Sequence, residues 1–347
     1  MQLSSLQSLI PANRLSAVEK ALLQTFNTIA ISDINLLAGG LSTSPVYKII
    51  VDNQPYVLKL DNTEGMANHI AESYTTMEIA ANADIAPPIY YQNIEDALSI
   101  TKFIENQPLR AVFTSPDILL RELAKTIRSI HEMPPIPKEN SLFNTAEGLI
   151  QQVKGSPMFT KTIFEDFFDY YDLIQKHYPW DDTDKVPSHN DLNPNNMICD
   201  GKRIWVVDWD AAFLNDRYVD LAISANFFVR NEQQENTLLS TYFGDSLNPY
   251  NSARFFIMRQ ITRLIYAILM FKLASSSAPI GAIDDPDLQT ANMRKIGEQL
   301  GAGTLSLSSY RGQLLYGKAL LNEALTDMRS PRFVPSVKLL ADATATI

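Results

Sequence analysis

Apolar residues at Leu15, Val18, Leu22 and Phe26, with Ser16 at the start, repeat at helical spacing and predict an amphipathic helix over 15–28. The period then changes. Segments 34–38, 46–51 and 56–60 read as three short strands, joined by Gly39, Gly40, Leu41, Ser42, Thr43 and Ser44 and by the turn Asp52, Asn53, Gln54, Pro55. This is an antiparallel meander. A helix follows over 66–83, then strands over 89–92 and 99–103, with Ala86, Pro87 and Pro88 breaking the chain before them. Beyond Gln107 and Pro108 the pattern is mostly helical: 116–131, 160–177, 218–228, 232–242, 255–273 and 310–326. The exception is the polar segment 188–198, SHNDLNPNNMI, with the strand 204–207 after it. Segment 275–309, rich in Ser, Gly, Ala and Asp, reads as a loop or two short helices. The order implies an α+β chain of two halves, a β-rich one over 1–103 and a larger helical one over 104–347.

Composition supports an ordinary globular protein, since 347 residues at 46% hydrophobic can build sizeable cores. The net charge of −10 disfavours nonspecific nucleic-acid binding and suits a cationic small substrate. A single cysteine, Cys199, excludes an internal disulfide and a thiolate metal site, so a reducing, cytoplasmic setting is expected. The N-terminus lacks the basic and apolar regions of a secretory signal. The most apolar window, 255–274, carries Arg259, Arg263 and Lys272, which predicts a buried helix with a polar face, not a membrane span.

Four pieces carry chemistry. His189, Asp191 and Asn196 fit H-x-D-x-x-x-x-N, the catalytic-loop spacing of phosphoryl transfer. There an aspartate takes the proton of the acceptor hydroxyl and an asparagine five residues on holds magnesium. The competing reading is a turn in which each Asn and Asp caps its own backbone. Asp208 follows the strand, twelve positions after Asn196, where a second metal-binding carboxylate is placed. Lys59 lies in an alternating strand; alone it reads as an edge charge, but a phosphate-gripping lysine needs such a strand and a helix carboxylate, for which Glu72 is expected and Glu78 is the rival. The stretch from Gly39 to Ser44 suits phosphate contact through backbone and hydroxyls, with Gly40, Ser42, Thr43 and Ser44 as candidates, or is simply a hairpin turn. No G-x-x-x-x-G-K motif is present.

Taken in order, residues 38–48, 56–59, Glu72, 189–196 and 207–210 resemble the choline/ethanolamine kinase and aminoglycoside phosphotransferase superfamily, with the His-Asn-Asp loop and the Gly-Gly-Leu hairpin most similar to its bacterial choline kinase branch. The resemblance spans roughly 34–270 and implies a protein-kinase-like two-lobe fold that transfers the γ-phosphoryl of ATP to a hydroxyl of a small, usually cationic, molecule. It implies that Asp191 is the catalytic base, that Asn196 and Asp208 hold Mg2+, and that Lys59 grips the phosphates with Glu72 behind it. His189 and Asp220 would support the loop, and Lys102, Phe103 and Ile104 would form the adenine-binding hinge.

Two departures stand out. Asn193 occupies the position where a protein kinase has a lysine near the γ-phosphate, so charge neutralisation falls to magnesium and Lys59. No tryptophan follows Trp209, although choline sites in this family commonly use one. Tyr218, Phe227, Phe228, Tyr250 and Tyr266 are the ring candidates for an ammonium, or else an aromatic helical core. Asp210 is a candidate for neutralising a substrate cation, and Arg263, with Arg259, either anchors acidic residues or selects an acidic substrate group. The leading expectation is an ATP- and Mg-dependent kinase of choline or a related amino alcohol. The alternatives are an aminoglycoside-type antibiotic kinase, for which 284–287 supplies carboxylates, and a nucleotide-binding pseudokinase scaffold. No activation segment bounded by D-F-G and A-P-E is visible, which argues against a protein kinase.

Overall fold

Val18, Ala21 and Leu22 are buried along one side of helix α1 (Leu15–Phe26) and share a core with an antiparallel sheet. The strands are β1 (Asp33–Leu36), β2 (Val46–Val51), β3 (Gln54–Leu60), β4 (Ile89–Asn93) and β5 (Leu98–Lys102), arranged β1-β2-β3-β5-β4. The computed structural model describes residues 9–37, 44–62, 67–138, 140–154, 161–180, 185–281, 283 and 291–344. Alternation decides the faces: Tyr47, Ile49 and Val51 of β2, and Leu58 and Leu60 of β3, turn into the core. Lys59, between two core residues, therefore lies on the opposite face. Asp52 and Asn53 at φ 48° and 63° form the two-residue turn that the strands' twist favours. Helix α2 (Ala67–Asn82) adds a smaller cluster of Ile70 and Tyr74 with Ala97.

The chain then forms a short helix α3 (Leu109–Val112) and α4 (Pro116–His131). Ser115 caps α4 by accepting the Ile118 amide at 3.2 Å, and Pro116 stands in the first turn. Further on come β6 (Lys185–Ser188), β7 (Met197–Cys199), β8 (Ile204–Val206) and β9 (Phe213–Asp216), with β7 and β8 a hairpin and β6 paired to β9. The segment after β5 is fastened to this hairpin: the Gln107 amide donates to the Cys199 carbonyl at 2.8 Å, and the Cys199 amide donates to Asn106 Oδ1 at 3.0 Å.

The chain groups into two compact units by its contacts. One unit is Met1–Glu139 with Val186–Leu214; the other is Asn140–Lys185 with Asn215–Ile347. The β7–β8 hairpin and α4 thus group with the sheet. The second unit contains α5 (Leu142–Lys154), α6 (Lys161–His177), α7 (Tyr218–Phe228), α8 (Glu232–Phe243), α9 (Pro249–Ser277), α10 (Met293–Gly301), α11 (Tyr310–Met328) and α12 (Phe333–Thr344). Helix α9 starts six residues before the apolar window because Asn248 and Asn251 form a reciprocal cap and Pro249 suits the first turn. It packs against α7, α11 and α12. At Gly317 of α11 a Cβ would come within 2.7 Å of the buried Phe271 ring, so that position admits no side chain without a shift. Among the described residues, no helix is long and apolar enough to cross a membrane.

Candidate active site

The polar segment between β6 and β7 is held by its own side chains. His189 is fully buried; its Nδ1 accepts the Asp191 amide at 3.3 Å, which leaves Nε2 to carry the proton and donate to the Val207 carbonyl at 3.0 Å. Its ring stands edge-on to Trp209 with centroids 4.8 Å apart. Asn190, at φ 63°, donates from Nδ2 to the carbonyls of Ser188, Ala211 and Phe213. Asn193 accepts the Asn195 amide at 2.9 Å and so caps the one-turn helix Pro194–Asn196. Asn196 sends both amide hydrogens to Asp191, to the carbonyl at 2.9 Å and to Oδ2 at 3.0 Å, and its own oxygen is left as an acceptor. The asparagines thus both shape this loop and fix the Asp191 carboxylate within it.

Asp208 ends the hairpin in the left-handed region, at φ 67°, a conformation that costs a non-glycine residue about 1–2 kcal/mol. Lys59 Nζ reaches Asp210 Oδ2 at 2.8 Å, Asp61 Oδ1 at 3.2 Å and Asp208 Oδ1 at 3.4 Å. Burial would lower the lysine's pKa, but Asp210, Asp61 and Asp208 outweigh it and hold the ammonium well above the ordinary lysine value. For Asp208, burial and the neighbouring Asp210 push the carboxyl up despite Lys59. For Asp210, burial is overcome by Lys59 and by the Ser73 hydroxyl, which donates to Oδ1 at 2.6 Å, and its carboxyl goes down. Three carboxylates around one ammonium leave a formal excess of two negative charges. A hard divalent cation fits that excess, and Asn196 and Asp208 supply the oxygen donors it prefers. Two protein ligands suffice when phosphates and water complete the shell.

Several expected residues land elsewhere. Neither Glu72 nor Glu78 is among the ion pairs of Lys59, because α2 turns Ser73 and Tyr74 toward the lysine's aspartates and Glu72 sits about 100° around the helix from Ser73. Gly40, Ser42 and Thr43, and the acidic run at 284–287, lie outside the described residues; Ser44 is half-buried ahead of β2. Lys102 ends β5, exposed; Phe103 lies under Lys48 Nζ at 4.1 Å and Ile104 is buried. Asp210 spends its two oxygens on Lys59 and Ser73, a placement that suits the phosphate end and not a substrate cation.

In the helical unit, Tyr218 is withdrawn from any cage: it is buried, its ring lies 4.9 Å from the Arg254 guanidinium, and its hydroxyl accepts from Asn251 at 2.8 Å. Arg263 is occupied by Glu323 at 3.1 Å and Asp327 at 2.5 Å, and Arg259 by Glu235 at 3.4 Å, so both serve as anchors and not as selectors of an acidic substrate. Phe227 and Tyr266 are half-buried, and Asp220 is fully buried on α7. A tryptophan does stand beside an open cleft, before the catalytic loop and not after it: Trp180, packed with Tyr178 and Phe143, where Asp216 also lines the wall.

Sequence reasoning missed Asp61, Ser73, Tyr74 and Lys138, whose Nζ donates to the Asp210 carbonyl at 3.2 Å. Asp61 had a signal: it stands two residues past Lys59 in an alternating strand and so shares its face.

A buried lysine ringed by aspartates and a loop with the H-x-D-x-x-x-x-N spacing, on a protein-kinase-like fold, are what a phosphotransferase requires. The chain belongs to the phosphotransferase enzyme family, whose model matches residues 33–256, and its reaction is kinase-type transfer to a hydroxyl acceptor. Among relatives, it is 26% identical to a LicA homolog of Metamycoplasma hominis over 194 residues, 55% of this chain and 72% of that one. Its fold is similar to a choline/ethanolamine kinase family protein from Mesorhizobium loti, with TM-score 0.67 and 16% identity over 94% of this chain and 98% of the other. It is also similar to the choline kinase LicA of Streptococcus pneumoniae, with TM-score 0.57 and 18% identity over 76% and 94%.

Proposed function

We propose that this protein transfers the γ-phosphoryl of ATP, with Mg2+, to the hydroxyl of choline or a related amino alcohol. The observation that carries the reading is the constellation of Asp191 and Asn196 on the loop leading into the β7–β8 hairpin, Asp208 just past its end, and Lys59 bonded to Asp208. Asp191 would accept the proton of the attacking hydroxyl as its oxygen bonds to the γ-phosphorus and the bond from that phosphorus to the bridging oxygen breaks, releasing ADP, while Asn196 fixes the carboxylate through Oδ2. Lys59 would bind the α- and β-phosphates. Asn196 and Asp208 would hold the magnesium, which neutralises charge on the transferred group when bound. Among the described residues, Phe103, Ile104 and Glu105 form no backbone hydrogen bonds, so their peptide groups suit an adenine edge. Asn193, whose side chain caps the turn, supplies no cation there. Support for the acceptor comes from the LicA relatives and from the net charge of −10, which favours a cationic partner.

The test is phosphate transfer from ATP by the purified protein to choline, ethanolamine, thiamine, sugars and aminoglycosides, with choline or a close analogue expected to give the highest kcat/KM. A preference for aminoglycosides would overturn the acceptor. Asp191→Asn is expected to lower kcat by about 10²–10⁴-fold with ATP affinity nearly unchanged. An unchanged rate would overturn the mechanism.

A further inference from the structure

We infer that Asp61, anchored by the hydroxyl of Tyr74, is the carboxylate that aims Lys59 at the phosphates, the duty a helix glutamate was expected to perform. This rests on the kinase reading above. The geometry starts in β3, where Leu58 and Leu60 point to the core, so Lys59 and Asp61 share the other face. Each oxygen of Asp61 has its own partner: Oδ1 lies 3.2 Å from Lys59 Nζ, and Oδ2 accepts the Tyr74 hydroxyl at 2.9 Å. Rotating the carboxylate away from the lysine would cost the buried phenol the acceptor of its proton.

The backbone of Asp61 is equally fixed. Its amide donates to the Ala97 carbonyl at 2.9 Å, and its carbonyl accepts from Arg14 Nη1 at 2.8 Å. Its side chain is only 9% exposed, whereas those of the lysine's other two partners, Asp208 and Asp210, are 40% and 37% exposed. Asp208 also has a metal to serve, and Asp210 is shared with Ser73. Asp61 is the most buried of the three, and its second oxygen, like that of Asp210, goes to a hydroxyl of α2. Because Ser73 and Tyr74 are successive residues of α2, the helix still governs the lysine, through two aspartates in place of a direct glutamate pair.

Asp61 is thus a positioning residue, and the test is a thermodynamic cycle on nucleotide affinity. ATP dissociation constants would be measured by calorimetry for wild type, Asp61→Asn, Tyr74→Phe, Glu72→Gln and Lys59→Met, and for Lys59→Met combined with Asp61→Asn, with melting curves to verify folding. Asp61→Asn is expected to weaken ATP about 10-fold and Tyr74→Phe about 3-fold, with no further loss from Asp61→Asn once Lys59 is gone. Glu72→Gln should matter far less than either. Wild-type affinity in Asp61→Asn, an equal loss with and without Lys59, or the reverse ranking of Glu72 and Asp61 would each overturn the inference. If Asp61→Asn fails to fold, Tyr74→Phe decides: affinity equal to wild type overturns it. A wild-type protein that binds no ATP would instead overturn the kinase reading, and this inference with it.

Discussion

Asn190 shows how much one side chain carries in the loop. It sits at φ 63° and ties three carbonyls, of Ser188, Ala211 and Phe213, to one amide nitrogen. Alanine would lose the bonds and keep the strained conformation; glycine would lose the bonds and relieve it. Asn190→Ala is therefore expected to cost about 2–3 kcal/mol and Asn190→Gly about 1 kcal/mol less, read from urea midpoints at equal slope. Equal costs would mean that left-handed strain plays no part. The same conformation recurs at Asp208, where the strain is tolerated because it presents a carboxylate at the end of the β7–β8 hairpin.

At the scale of elements, the crossing of α9 and α11 depends on Gly317. Glycine to alanine in a helix interior ordinarily stabilises by about 1 kcal/mol, but here the added methyl meets Phe271 at 2.7 Å and the Ala267 carbonyl at 3.2 Å. Overpacking should win, and Gly317→Ala is expected to destabilise by about 1–3 kcal/mol in thermal or urea unfolding. Most elements were legible because their periods are clean: β2 alternates without a break, and α4 keeps its apolar face from Leu119 to Ile130. Helices α5 and α12 fall outside the expected elements, and α10 lies in the segment read as a loop or two short helices, since their apolar positions are sparse or unbroken. In the site, the residues with fixed sequence spacing, His189, Asp191, Asn196 and Asp208, were readable from that spacing. The absence of a glutamate pair for Lys59 was not, because which face α2 turns to the sheet is settled by the packing of Ile70 and Tyr74, and that is tertiary information. Likewise Arg263 gave no clue that its carboxylates lay sixty or more residues on, at Glu323 and Asp327.

Across the whole molecule, four buried tyrosines set its behaviour in alkali. Burial raises the phenols of Tyr74, Tyr171, Tyr178 and Tyr218 above the ordinary 10.0, aided at the first three by Asp61, Glu147 and Asp216 respectively. A raised folded pKa contributes stability that is complete below pH 10 and is lost as pH climbs toward the folded values, because the unfolded chain releases these protons first. Absorbance at 295 nm should therefore show a group of tyrosines that ionises together with the loss of helical circular dichroism, not on a simple curve centred at 10. Ionisation of all tyrosines before any loss of helix would contradict it. A last consequence follows from the arginines of α9. Arg254 reaches Asp216 beside α7, Arg259 reaches Glu235 on α8, and Arg263 reaches Glu323 and Asp327 on α11, so three neighbours each hold one tooth of the same shaft. The shaft is apolar on nearly every side, and greasiness alone would let it turn. Turning it by one residue would unseat three buried cations at roughly 3–5 kcal/mol apiece. The helix works as a key cut for a single lock position, which selects one angular setting among many of similar hydrophobicity.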